Sequence, residues 1–280
     1  MTEHSVLDSV IAIFDIDGVI RDVSGSYRRA LADTVEQFTA GAYRPSQLDI
    51  DQLKSEGIWN NDWEASEELI YRYLETQGQP RTQQLNYQEI VAFFQSRYRG
   101  TDPHNWTGYI RDEPLLLQPS YLEQLSAAGI PWGFFSGAPH AEAAYVLEKR
   151  LYLRSPVLIG MEDAPGKPDP TGLLTVVRQL KQHILDTPTI VYAGDTVADM
   201  YTVEKARRRE AACRQTSLFP DYSWVSVGIL PPHVQETPAR RDAYAEALKA
   251  AGAAVIFSNV QELTPAQIEQ LVLKSSVHCL

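Results

Sequence analysis

Short apolar runs recur along the chain, each closed by Gly, Pro or Asp: Val10–Phe14, Trp132–Phe135, Val157–Ile159, Thr189–Ala193, Ser223–Val227 and Ala254–Phe257. Runs of this length, rich in β-branched and aromatic residues, predict strands covered on both faces. Between them, helical patterns cover Tyr121–Ala128, Ala141–Arg150, Thr171–Gln182, Met200–Arg208, Ala243–Ala250 and Pro265–Lys274. Strands alternating with helices predict an α/β protein with a mostly parallel sheet and helices on both faces. The final helix has no predicted role beyond packing on that sheet.

The stretch from about Ser24 to Pro114 breaks this rhythm. It holds no convincing strand, and apolar residues recur three and four apart at Leu31, Val35 and Phe38, at Leu69, Ile70, Tyr73 and Leu74, and at Ile90, Val91, Phe94 and Tyr98. Gly41, Gly57, Gly78-Gln79-Pro80 and Gly100 punctuate them. The expected division is an α/β core over residues 1–24 and 115–280, with an all-helical insert over residues 25–114 that is long enough for a small domain. Rooted just after the first strand, such an insert is expected to lie over the strand ends like a lid.

Composition narrows the partners. A net charge of −11 and a pI of about 5.0 argue against a nucleic-acid binder, which needs a broad basic face. The densest basic stretch, Lys205–Arg209, reads as the solvated face of a helix, with a phosphate-attracting rim as the other reading. Two cysteines, Cys213 and Cys279, make neither a disulfide framework nor a metal-ligand spacing. No window approaches the ~18 uninterrupted apolar residues of a membrane helix, and the first residues lack a signal-peptide pattern. A cytoplasmic location and a monomeric or homodimeric state are expected, with no membrane or nucleic-acid partner.

Four predicted strand ends or following loops carry polar chemistry. The first strand runs straight into Asp15-Ile16-Asp17-Gly18. Two carboxylates in one crevice repel each other unless a cation, a proton or a donor joins them. Ser136-Gly137-Ala138 follows the second strand and offers a hydroxyl and turn amides for an oxyanion. Lys167 lies in the loop Gly166-Lys167-Pro168-Asp169-Pro170. Gly194-Asp195-Thr196-Val197-Ala198-Asp199 puts Asp195 at a strand end and Asp199 in the first turn of the next helix. Taken singly, each has an ordinary structural reading as a turn, a solvated loop lysine or a helix cap.

Together, Asp15-x-Asp17-Gly18-Val19, Ser136, Lys167 and Gly194-Asp195-x-x-x-Asp199 resemble, in order, the four loop motifs of the haloacid dehalogenase superfamily. The insert lies between the first and second motifs, as in members with a helical cap of the first type. About thirty residues separate Ser136 from Lys167, too few for the alternative cap position. The first motif reads much like those of phosphoglycolate phosphatases and β-phosphoglucomutases. The resemblance implies a Rossmann-like, doubly wound core. It also implies a Mg²⁺-dependent phosphatase acting on a small phosphorylated metabolite, a sugar phosphate or a phosphoglycolate-like acid.

In that resemblance Asp15 is the nucleophile that forms an aspartyl-phosphate, and Asp17 is the general acid and base. The Asp15 carboxylate, the Asp17 backbone carbonyl and Asp195 would hold Mg²⁺, with Asp199 binding directly or through water. Ser136, the Gly137 amide and Lys167 would hold the phosphate oxygens, and Gly18 would lie at the same substrate site. Asp17 sets the chain apart from dehalogenases and phosphonatases, which lack an acid there. P-type pumps share the first motif but need membrane helices. The insert segment Gly57-Ile58-Trp59-Asn60-Asn61-Asp62-Trp63-Glu64 reads either as a capped helix–helix turn or as a substrate loop using Asn60 and Asn61. Arg21, Arg28 and Arg29 are candidates for a second anionic group, with surface solvation as the other reading. A phosphomutase, a non-catalytic phosphate-binding member of the fold, and a metal-dependent glycosyltransferase using Asp-x-Asp are the competing readings. The last of these leaves Ser136, Lys167 and Asp199 unexplained.

Overall fold

The computed structural model describes residues 6–54, 56, 58–59, 61–81, 85–184, 187–213 and 222–277. Gly57, Asn60 and Cys279 lie outside the described residues. The chain divides into two compact units, Met1–Asp22 with Leu115–Leu280, and Val23–Pro114.

In the first unit the apolar runs become β1 (Val10–Phe14), β2 (Trp132–Phe135), β3 (Leu158–Ile159), β4 (Thr189–Gly194), β5 (Ser223–Ile229) and β6 (Val255–Phe257). They form one sheet in the order β3-β2-β1-β4-β5-β6, and every pairing is parallel. The chain steps outward from β1 through β2 to β3, then returns to the other side of β1 as β4. That reversal puts the topological switch point, where sheets of this kind open a crevice beyond the strand ends, between β1 and β4.

β1 shows why a solid apolar run marks the centre of such a sheet. All five of its residues are fully buried. Side chains alternate between faces, so Val10, Ala12 and Phe14 join one cluster and Ile11 and Ile13 the other. The first cluster is completed by Tyr121, Leu122 and Leu125 of α5 (Pro119–Ala127) and by Ile268 and Val272 of α10 (Pro265–Val277). The second takes Leu173, Val176 and Val177 of α7 (Thr171–Leu180) and Val203 and Ala206 of α8 (Val197–Cys213). Helices therefore cover both faces. Each large apolar side chain so enclosed contributes about 1.5–3 kcal/mol. α9 (Pro238–Ala250) lies further out and buries Leu248 beside Met200 and Leu230.

Two predicted helices differ in detail. The Ala141–Arg150 pattern starts at His140 as α6 (His140–Ala144) and continues as a π turn over Tyr145–Arg150. Leu151 N–H donates to the Val146 carbonyl, five residues back, at 3.0 Å. The wider turn brings Ala143, Val146 and Leu147 together onto the core. α8 begins three residues before the predicted Met200 because Thr196 and Asp199 cap it reciprocally. The Thr196 N–H donates to Asp199 Oδ2 at 3.0 Å, and the Asp199 N–H donates to Thr196 Oγ1 at 3.3 Å. The basic stretch lies within α8. Its Arg207 donates to the Trp224 carbonyl (2.7 Å), Arg208 pairs with Glu204 (2.9 Å) and Arg209 donates to Thr171 Oγ1 (3.0 Å).

The second unit contains α1 (Tyr27–Phe38), α2 (Gln47–Lys54), α3 (Asp62–Thr76) and α4 (Tyr87–Tyr98). Its core is made of residues picked out by the three- and four-residue spacing: Leu31, Val35, Leu69, Ile70, Ile90, Phe94 and Tyr98 are all buried. Tyr27 stacks on Tyr98 with ring centroids 4.2 Å apart. α2 is additional to the predicted segments and buries only Ile50 and Leu53. Among the described residues no helix is long and apolar enough to cross a membrane.

Candidate active site

The β1–β4 ladder continues one residue past β1, where the Asp15 N–H donates to the Ala193 carbonyl at 2.9 Å. The chain then folds back at once. The Ile16 carbonyl accepts from the N–H groups of Ile20 (2.7 Å) and Arg21 (3.1 Å), and Gly18 N–H donates to the Arg21 carbonyl (2.8 Å). Gly18 has φ +73°, and a Cβ there would run into the Asp195 carboxylate, so both the turn and the close approach require glycine. The turn leaves Asp15 facing Asp195 across the switch point.

One oxygen of Asp15 is fully engaged. Oδ1 accepts from the Ile16 N–H at 2.8 Å and from Lys167 Nζ at 2.8 Å. Oδ2 has no hydrogen bond among the described residues. Lys167 Nζ also meets Asp199 Oδ1 at 2.7 Å and lies 5.1 Å from the Phe135 ring centroid and 5.6 Å from that of Tyr192. Its side chain is 9 % exposed. Burial pulls the Lys167 pKa down, but the Asp15 and Asp199 carboxylates together outweigh it and hold the ammonium charged.

Asp199 is saturated. Oδ1 accepts from Lys167 and from the Tyr192 hydroxyl (2.7 Å), and Oδ2 accepts from the Thr196 N–H (3.0 Å) and hydroxyl (2.6 Å). Burial alone would raise its pKa, but Lys167 and these donors lower it. Its four acceptor positions are all in use. Asp195 is the opposite case. It is 8 % exposed and has no hydrogen bond or ion pair among the described residues. Burial, followed by the charges of Asp15 and Asp199, pushes its pKa well above the carboxylate range. Burial likewise raises Asp15 to about 7, against the opposing pull of Lys167.

Carboxylate oxygens of Asp15, Asp195 and Asp199 lie within 4.8 Å of one another. Among the described residues, Lys167 is the cation paired with this trio, through Asp15 and Asp199, while Arg21 pairs with Asp17. A buried carboxylate without a donor, beside a second carboxylate oxygen without one, fits a hard divalent cation such as Mg²⁺. Asp15 and Asp195 supply the open oxygens. Asp199, with none open, fits the outer position better than direct ligation.

Ser136 is fully buried at the end of β2. Its N–H continues the ladder to the Ile159 carbonyl (2.9 Å), and its Oγ accepts from the Ala138 N–H (3.1 Å). Gly137 is exposed, with no atom within 4 Å of where a Cβ would stand. Its N–H makes no hydrogen bond among the described residues and is open to an anion. Asp17 is 29 % exposed in its side chain, and its Oδ1 accepts from Arg21 Nε at 2.6 Å.

The candidate arginines separate. Arg21 is fully buried on Asp17 and is no surface ligand for a second anion. The tight turn at Ile16–Arg21 brings it back onto the motif. Arg28 pairs with Asp51 at 2.6 Å, while Arg29 is exposed over the Tyr109 ring at 4.2 Å. Asn61 caps α3, accepting from the Trp63 N–H at 2.9 Å. Tyr192, hidden in an apolar strand, carries no sequence signal, while Arg21, a candidate for a second anion, instead pairs with Asp17.

A carboxylate cluster around a buried ammonium, at the switch point of a Rossmann-like sheet, defines a hydrolase-type site built on aspartates. The model for the haloacid dehalogenase-like hydrolases matches residues 11–207, and the chain belongs to that family. Among solved structures, it is similar over 99 % of its length to 98 % of a phosphonoacetaldehyde hydrolase-like protein from Oleispira antarctica (TM-score 0.64, 16 % identity). It is also similar over 78 % of its length to 93 % of phosphatase Tt82 from Thermococcus thioreducens (TM-score 0.58, 22 % identity). At these identities the likeness is one of fold. A curated relative, imidazoleglycerol-phosphate dehydratase from Phytophthora nicotianae, is 29 % identical over 88 % of the chain. The chain spans about half (49 %) of that relative's length.

Proposed function

We propose that the protein is a Mg²⁺-dependent phosphatase that hydrolyses a small phosphate monoester through an aspartyl-phosphate on Asp15. The observation that carries this reading is the asymmetry of Asp15. Oδ1 is pinned by Lys167 and the Ile16 N–H, and Oδ2 is left open beside the Asp195 and Asp199 carboxylates. The Asp15 carboxylate attacks phosphorus, the bond to the ester oxygen breaks, and Asp17 delivers a proton to the departing alkoxide. Asp17 then takes a proton from water as the water oxygen attacks the phosphoryl group, and Asp15 is released. Ser136 Oγ, the Gly137 N–H and Lys167 hold phosphoryl oxygens through both steps. Asp15, Asp195 and the Asp17 carbonyl would hold Mg²⁺, which would supply charge neutralisation between the carboxylates and the phosphate.

An acid at position 17 favours a phosphate ester, whose alkoxide needs a proton, over a phosphonate. The helical unit is the proposed selector of substrate. The relative's name adds imidazole-bearing phosphate esters to the candidates. The test is release of inorganic phosphate from a panel of sugar phosphates, phosphoglycolate and imidazoleglycerol phosphate, with Mg²⁺ or with EDTA. Mg²⁺-dependent release that is abolished in Asp15→Asn, in a variant that still folds, is expected. No release from any member sinks the reading, and isomerisation without net hydrolysis identifies a mutase instead.

A further inference from the structure

Resting on the phosphatase reading, we infer that Tyr192 is a positioning residue that, together with Thr196, locks Asp199 as the counterion of Lys167 and so sets the phosphate-holding ammonium. Tyr192 lies in the middle of β4, fully buried, at a position that reads only as strand core. Its hydroxyl donates to Asp199 Oδ1 at 2.7 Å, the same oxygen that Lys167 Nζ meets at 2.7 Å. Its ring also forms part of the lysine's surroundings, 5.6 Å from Nζ. Enclosed in the strand with Asp199 Oδ1 as its acceptor, the hydroxyl acts as a fixed donor. Thr196 holds the other oxygen with two donors. Asp199 thus has one orientation, and the same lock keeps its oxygens occupied beside the cation site.

A long lysine side chain carries up to ~2 kcal/mol of rotamer freedom. Two carboxylates and two rings restrict it here. Loss of one donor from Asp199 lets that carboxylate turn and leaves the ammonium less well placed for a phosphoryl oxygen. A charge-assisted hydrogen bond of this kind corresponds to about a tenfold effect.

The test is binding of inorganic phosphate, measured by calorimetry in Mg²⁺, to wild type, Tyr192→Phe, Thr196→Val, Lys167→Met and the two double variants. Phenylalanine keeps the ring and removes only the hydroxyl. The expected result is that Y192F and T196V each weaken phosphate binding by about tenfold, and that neither change has a further effect in the K167M background. A double-mutant cycle of that form assigns the effect to Lys167, which a general loss of packing would not do. If Y192F does not fold, T196V carries the same comparison. Wild-type affinity in both folded single variants, or equal weakening with and without Lys167, overturns the inference. Wild-type protein that neither binds phosphate nor hydrolyses any ester overturns the phosphatase reading as well.

Discussion

Lowering the pH from 7.5 to 5 should weaken Mg²⁺ binding by a predictable factor, because protons and the metal compete for the same carboxylates. Burial raises Asp15 to about 7, and Asp195 is pushed up for the same reason. A ligand that must displace one proton from a group of pKa 7 binds more weakly by about 100-fold at pH 5 and by about 1.3-fold at pH 7.5. The ratio is about 80-fold, or about 2.6 kcal/mol, and participation of Asp195 steepens it. The sign for folding follows from linkage. Asp15 and Asp195 bind protons more tightly folded than unfolded, so Mg²⁺-free protein loses stability as pH rises from about 4 through 7. The depressed Asp199 works in the opposite sense, its contribution being lost as pH falls. Added Mg²⁺ should therefore raise the Tm most at neutral pH. Calorimetric titration with MgCl₂ in buffers of differing ionisation enthalpy reads both affinity and protons released. An affinity constant within twofold between pH 5 and 7.5, with no proton release, would refute the competition.

Two further changes test the turn and the core. Gly18→Ala puts a Cβ on a φ of +73° and into the Asp195 carboxylate. It should cost about 1–3 kcal/mol by chemical denaturation and weaken Mg²⁺ binding in the same preparation. Wild-type Mg²⁺ affinity would show that Gly18 does not shape the site. Leu125→Ala removes a fully buried side chain from α5 and should destabilise by about 2–5 kcal/mol, with phosphatase activity per folded molecule unchanged. A fall in that activity would mean that α5 packing reaches the site.

The sheet was legible because burial on both faces demands unbroken apolar strands, and β1, β4 and β5 carry them with almost no polar interruption. The carboxylates stood out because nothing in a strand interior requires them. Arg21 stood out as a candidate cation, but its pairing with Asp17 was not legible. Read along the chain it is a charged residue past a glycine, and only the reversal at Ile16–Arg21 puts it onto Asp17. Tyr192 was hidden for a related reason: strand periodicity treats its ring as core and is blind to the hydroxyl. The π turn after α6 escaped because its apolar positions fit an ordinary helix equally well. α2, with two buried residues in eight, offers almost no periodic signal.

In the proposed reaction Asp15 carries the phosphoryl group during turnover. The direct measurement is a borohydride quench of the enzyme turning over a hydrolysed ester, followed by mass spectrometry of the peptide containing residue 15. Reduction of an acyl phosphate converts that aspartate to homoserine, so homoserine is expected at position 15, with Asp17, Asp195 and Asp199 unchanged. Turnover with no modification at position 15, or with the modification at another carboxylate, would contradict it.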